Sequence, residues 1–243
     1  MSVGTSTPLV CSVNANVVSF IAAGTCTVTV DAPANANYNA AATATQSFAV
    51  GKGSQSLSFT STAPLNAVVF GSTYSVSGVS SVGSLIPSFS IDSSTSTICS
   101  ISGQTVSFLK AGACLINMNQ PGSLDYAAAP TRQQDVIVGK GSQIIQFLTN
   151  APAATVNGPT YVPAASSNRT YLSVSLSVAA SSASVCGLSG GVVSFIGVGS
   201  CVLNANQAGD VDFNAAPQVR FDLSVSCGWK QIFFFSLSGF ANN

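Results

Sequence analysis

Six of the seven cysteines fall into three pairs with one spacing: Cys11 and Cys26, Cys99 and Cys114, Cys186 and Cys201, each 15 residues apart. The pairs recur at offsets of 88 and then 87 residues. Self-similarity at a fixed period is the mark of a repeat architecture, and it restricts the chain to copies of one small unit. Other landmarks keep the same register. Val18-Ser19-Phe20 returns as Val106-Ser107-Phe108 and Val193-Ser194-Phe195. Tyr38, Tyr126 and Phe213 each stand two positions before an Ala-Ala pair (Ala40-Ala41, Ala128-Ala129, Ala215-Ala216), and Gly51-Lys52-Gly53-Ser54-Gln55 returns whole at 139–143. Phe59 maps to Phe147 at 88, but Tyr74 maps to Tyr161 at 87. The missing residue lies between the Ala-Pro pairs (Ala63-Pro64, Ala151-Pro152) and Gly71/Gly158, where a surface turn tolerates a deletion.

Within one copy the apolar period is two. Leu57 and Phe59 alternate with Ser, and the alternation continues through Tyr74 and Val76, Phe89 and Ile91, Cys99 and Ile101, and Val106 and Phe108. Cys114, Ile116 and Met118, then Val136 and Val138, complete the series. These are seven short half-buried strands parted by Gly, Pro, Ser and Asn clusters, and no stretch holds a 3.6 period. Ser102-Gly103 between two alternating runs predicts a tight hairpin. Seven strands in under 90 residues fit a two-sheet sandwich. The expected fold class is all-β, with tandem immunoglobulin-like antiparallel β-sandwich modules of about 87–88 residues.

The Gly-Lys-Gly-Ser-Gln segments punctuate the repeat as solvated linkers. Complete modules are expected at 54–138 and 142–225, an incomplete one at 1–50, where Met1 aligns with Phe89, and an atypical tail at 226–243. In that tail Ser226-Cys227-Gly228-Trp229-Lys230 replaces a third linker. The expected explanation is a fragment of a longer array with a frame disturbance near Ser226; a divergent terminal cap is the alternative. The missing strands of the first module leave an apolar sheet face to be covered by residues 232–237, by a neighbouring chain, or not at all.

Composition then removes whole classes of function. His and Glu are absent, so no Ser-His-Asp or Cys-His pair and no imidazole metal ligand can form. Seven Lys+Arg balance seven Asp, leaving no basic footprint for nucleic acid. The apolar run at 232–235 is far shorter than the roughly 20 residues of a membrane span, so no membrane insertion is expected. The start, Met1-Ser2-Val3-Gly4, shows no export signal, and targeting information is expected to lie outside this chain. Neither a cofactor nor a metal nor a catalytic residue is expected.

The paired cysteines admit a metal or redox reading, but zinc sites favour two thiolates on one tight turn. Fourteen intervening residues suit a structural disulfide within each copy instead, on strands flanking the Val106–Phe108 strand. Such a bridge restricts the unfolded chain by roughly 3 kcal/mol. Cys227 is left over as a free thiol, an intermolecular link or a feature of the odd tail.

Other candidates are weaker. Asp210-Val211-Asp212, with Asn204, Asn206 and Asn214 nearby, has the hard oxygen ligands calcium takes. Its counterparts, Ser123 and Asp125 or Asn35 and Asn37, fit turn-fixing side chains better. Lys110 could enter an amide cross-link with a buried acid, yet its counterparts are Ala22 and Gly197. Asn168-Arg169-Thr170 matches a glycosylation acceptor. Tyr161 and Tyr171 are the aromatic pair to test for ligand contact, and Trp229 with Phe233-Phe234-Phe235 would be an aggregation hazard if exposed.

The string VSFLKAGACLINMNQPGSLDYAAAPTRQQDVIVGKGSQ (106–143), echoed by VSFIGVGSCVLNANQAGDVDFNAAPQVRFDLSV (193–225), resembles the tandem bacterial immunoglobulin-like repeats of very large secreted or surface-attached, adhesin-like proteins. The resemblance covers about residues 1–225 and implies a sandwich used as a repeating spacer or adhesive stalk. The expected partners are neighbouring repeats of a longer array, and the expected location is secreted or at the cell surface, where the bridges would form. A module whose loops bind a surface glycan or protein is the alternative.

Overall fold

The computed structural model describes residues 2–228. Met1, Trp229, the run Phe233-Phe234-Phe235 and the covering strand suggested at 232–237 lie outside the described residues. The fold is all-β, of immunoglobulin-like antiparallel sandwich type, and it divides into two compact units: Met1–Gly139, and one that begins at Lys140.

Residues 2–50 carry β1 (Ser2–Thr5), β2 (Cys11–Asn14), β3 (Val17–Phe20), β4 (Gly24–Asp31) and β5 (Ala44–Val50). Residues 53–139 carry β6 (Leu57–Phe59), β7 (Tyr74–Ser75), β8 (Gly78–Ser80), β9 (Ser88–Ile91), β10 (Cys99–Ser102), β11 (Thr105–Phe108), β12 (Gly112–Asn119) and β13 (Arg132–Val138). The second unit carries β14 (Ile145–Phe147), β15 (Ala154–Thr155), β16 (Ala165–Ser167), β17 (Ser175–Val178), β18 (Cys186–Ser189), β19 (Val192–Phe195), β20 (Gly199–Asn206) and β21 (Val219–Ser226).

Pairing follows one scheme. In residues 53–139, β11 lies between β10 and β7, with Cys99 opposite Phe108 and Val106 opposite Tyr74. The facing sheet is β13-β12-β9, in which Cys114 lies opposite Val136, and Ile116 opposite both Gln134 and Ile91. Successive side chains point to opposite faces, so Cys114, Ile116 and Met118 of β12 are buried while their neighbours are not. The Cys99–Cys114 disulfide (Cα–Cα 5.8 Å) joins β10 to β12 and therefore ties one sheet to the other. Cys11–Cys26 and Cys186–Cys201 make the same link, from β2 to β4 and from β18 to β20.

The hairpin turns differ in residue but share a physical demand. Two-residue connections that match strand twist need positive φ, which glycine and asparagine adopt most readily. Gly103 has φ 60°, Gly190 and Gly191 have 57° and 80°, and Ala15-Asn16 reach 46° and 63°.

Period-two alternation does not register the single 3-10 turns at Ser93–Thr95 and Ala180–Ser182. Each buries a hydroxyl that accepts a strand N–H: Thr95 Oγ1 from Leu115 at 3.1 Å, Ser182 Oγ from Val202 at 3.1 Å. The first turn is capped by Asp92, whose Oδ1 accepts the Ser94 hydroxyl (2.6 Å) and N–H (3.0 Å), and whose Oδ2 accepts Asn117 Nδ2 (3.1 Å). The hydroxyl bond from Ser94, then that from Asn117, hold the Asp92 carboxyl below its ordinary range. A folded value below the unfolded one adds stability above the unfolded value, and that stability is lost as pH falls through the folded one. Asp92→Asn therefore flattens the acid limb of the unfolding curve of residues 53–139 below about pH 4, read by circular dichroism across pH. The second turn has Ala179 at the cap and no side-chain bond there.

Candidate functional site

Among the described residues, no group of three or more Cys or Asp side chains lies close enough to hold a metal ion. What the two units do share is a built polar feature around Gly-Lys-Gly-Ser-Gln.

The segment is exposed over residues 51–54, as expected of a linker, but it is also hydrogen-bonded to a loop of the following residues. Gly53 N–H donates to Asp125 O (2.8 Å), and Ala127 N–H donates back to Gly53 O (2.9 Å), a parallel bridge beside Tyr126. Lys52 Nζ donates to Ser123 O. Gln55 is buried; its Nε2 donates to Ala127 O (2.7 Å) and Gln120 Oε1 (3.3 Å), and its Oε1 accepts the Ser80 hydroxyl (2.9 Å). The second unit repeats every bond. Gly141 N–H reaches Asp212 O (2.8 Å), Asn214 N–H reaches Gly141 O (2.9 Å), and Lys140 Nζ reaches Asp210 O. Gln143 Nε2 reaches Asn214 O (2.7 Å) and Gln207 Oε1, while Ser167 donates to Gln143 Oε1 (2.9 Å). A buried primary amide is costly to leave unpaired, so each glutamine locks its segment onto the loop. A Cβ on Gly53 would stand 3.1 Å from the Tyr126 ring, so a side chain there would have to push that ring aside.

The receiving loops are braced by short polar side chains. Ser123 Oγ accepts from Asp125 and Tyr126 N–H (both 3.1 Å), Asp210 Oδ1 from Asp212 (2.9 Å) and Phe213 (2.8 Å), and Asn35 Oδ1 from Asn37 (2.9 Å) and Tyr38 (3.0 Å). The Asp210 carboxylate is thus engaged in the turn, the role its Ser and Asn counterparts perform. In the first unit Asp125 Oδ1 also accepts Ala23 N–H (2.9 Å), tying the turn after β3 to the clasp of the following residues.

The two candidate tyrosines part company. Tyr161 is 9% exposed, exchanges backbone bonds with Val193 (3.0 and 2.7 Å), and its hydroxyl pairs with Thr149 (2.5 Å). Tyr74 does the same work against Ser61 (2.6 Å) and Gln134 (2.8 Å). Tyr161 is therefore a core residue with a satisfied hydroxyl and offers no recognition surface, which corrects the expectation for it. Tyr171 is 66% exposed, set edge-on to Phe213 at 6.5 Å, with the Arg169 guanidinium 4.6 Å from the Phe213 ring centre. Partial desolvation, then the Asp210 and Asp212 charges, raise its phenol above the ordinary value. Lys110 is exposed, so the buried-acid cross-link has no geometry to support it. Asn168 is exposed and its Oδ1 accepts Ile144 N–H (3.1 Å). Cys227 is a free, exposed thiol.

The buried glutamines were not singled out from the sequence. The available signal was recurrence: Gln55 and Gln143, Gln120 and Gln207, Ser80 and Ser167 each return in register.

No family model matches the chain, and no curated protein matches it. Among solved structures, it is similar to mouse protocadherin-24 EC1-3 (13% identity over 93% of this chain and 90% of that one, TM-score 0.36). It is also similar to domains 4 and 5 of the S-layer protein SbsC (9%, 72% and 99%, TM-score 0.28) and to the D00-D0 domain of intimin (14%, 69% and 98%, TM-score 0.27). Likeness at these TM-scores bears no weight for function, which rests on the bonds just described.

Proposed function

We propose that this chain is a non-catalytic structural spacer, built of tandem copies of one bridged sandwich, from a secreted or surface-attached protein of the bacterial adhesin-like kind. The supporting observation is the clasp: the same segment is held by the same bonds in both units, with its glutamine buried against the receiving loop. Copies of a small bridged unit, each with its segment clasped, give an array whose reach grows with copy number. The module boundaries proposed are 54–138 and 142–225, with the clasped segment added to the front of each.

Single-molecule pulling tests the reading. Discrete unfolding peaks are expected, and reduction should lengthen each step, because a bridge shortcuts a 15-residue separation worth about 5 nm of extended chain. Smooth extension at low force without peaks refutes the spacer. Exposure of Tyr171 beside Phe213 and Arg169 favours one rival, a loop that binds a glycan or protein. Array binding that disappears in Tyr171→Ala would decide for that rival.

A further inference from the structure

The same side chains that are sealed in residues 53–139 and in the second unit stand open in residues 2–50. Phe20 is 64% exposed, whereas Phe108 and Phe195 are 2% and 3%. Phe48 is 36% exposed against 1% for Val136 and 0% for Leu223, and Tyr38 is 77% exposed against 2% for Phe213. Val18, Val28 and Val30 are half-buried where Val106, Ile116 and Met118 are fully buried. The covering element in residues 53–139 is known by residue: Leu57, Val69, Tyr74 and Val76 close the face, and β7 adds to the free edge of β11.

We infer that the open face and edge of residues 2–50 form a docking site for an extended Gly-Lys-Gly-Ser-Gln-led segment of the 51–80 type, supplied by another copy of the repeat unit. The receiving loop is already in its bound shape. Asn35 N–H meets Tyr38 O at 3.0 Å and Ala41 N–H meets Ala32 O at 3.1 Å, the bonds that Ser123 and Ala129, or Asp210 and Ala216, make in the filled loops. Transferring the filled register places the incoming lysine on Asn35 O, the central glycine between Asn37 O and Asn39 N–H, and the incoming glutamine on Asn39 O. The incoming tyrosine strand pairs across Val18. One difference is built in: Ala32 stands where Gln120 and Gln207 stand, so the amide-to-amide bond is absent and the glutamine retains only its carbonyl and serine partners. Main-chain bonds to a free edge supply affinity and alternate side-chain pockets supply specificity, as in strand addition generally. The inference rests on packing alone and holds whether the chain is a spacer or a binder.

The test titrates a labelled peptide of residues 51–80 into the full chain, reading anisotropy and amide exchange. Saturable one-to-one binding is expected, with exchange slowed at 17–20 and 44–50. Phe20→Asp in the chain, or Leu57→Asp with Tyr74→Asp in the peptide, should weaken binding at least ~10-fold. No binding, binding indifferent to Phe20→Asp, or protection confined to 105–108 overturns the inference. Binding that appears only after removal of residues 229–243 assigns the face to that tail and overturns it too. A second measurement places residues 51–88 ahead of Ser2 in one polypeptide, where effective concentration is millimolar. Exchange at 17–20 should slow at least ~10-fold, and unchanged exchange there refutes the site.

Discussion

Replacing Cys11 and Cys26 together by alanine unfolds residues 2–50, while the same change at Cys99 and Cys114 only weakens residues 53–139. Each bridge closes a loop of the same length, so each should be worth roughly 3 kcal/mol in the chain-entropy model. The outcomes diverge because of what remains. Cys11 and Cys26 are the only fully buried side chains among the described residues of 2–50. Around Cys99 and Cys114, by contrast, Val76, Val106, Ile116, Met118 and Val136 stay buried. For the Cys99/Cys114 variant the melting midpoint should drop by roughly 15 °C, since one kcal/mol moves a domain of this size by about 4–8 °C. Amide exchange at Gly24–Asp31 should become unprotected in the Cys11/Cys26 variant. Retained protection there would show that some other contact holds the two sheets together.

The second large effect comes from one residue type at three equivalent sites. Phe108→Ala and Phe195→Ala should each cost about 3–5 kcal/mol, because a buried ring is lost and a cavity is left. Phe20→Ala should cost under about 1 kcal/mol, since its ring is mostly solvated and meets Phe48 edge-on at 5.9 Å. Denaturant unfolding of the three variants, with exchange to localise the loss, provides the comparison. Equal costs at all three positions would mean that the face bearing Phe20 is closed in solution. That same experiment, repeated with the docked segment of residues 51–88 in place, should raise the Phe20→Ala cost toward that of its counterparts.

Most of the strand pattern was legible without coordinates. Alternation at Cys114, Ile116 and Met118 is a local property of a pleated strand with one wet face, and it maps onto β12 directly. The hairpin at Gly103 was legible for the same reason, positive φ being a demand on one or two residues, although the turn itself is Gly103-Gln104 and Ser102 ends β10. The short strand Gly78–Ser80 escaped because Gly and Ser carry no apolar alternation, and the 3-10 turns escaped because a single turn has no period to detect. The clasp was missed for a different reason. Gly, Lys, Ser and Gln are typical of solvated linkers, and composition cannot show that a loop some 70 residues downstream offers carbonyls at the right spacing. Tyr161 was misread likewise: an aromatic in a Gly/Pro-rich stretch resembles a loop tip, yet the Val193 strand captures its backbone and Thr149 its hydroxyl.

The amino-acid order by itself determined the period, which recurrence shows directly, and the strands and the spacing that lets each cysteine find its partner, because these depend on neighbours within about 15 residues. Only the tertiary structure decided which glutamines are buried, which tyrosine is core, and that one phenylalanine of three stands in water. Those outcomes depend on whether a segment far along the chain lies against the sheet, and burial is a property of the assembled surface rather than of any stretch of residues.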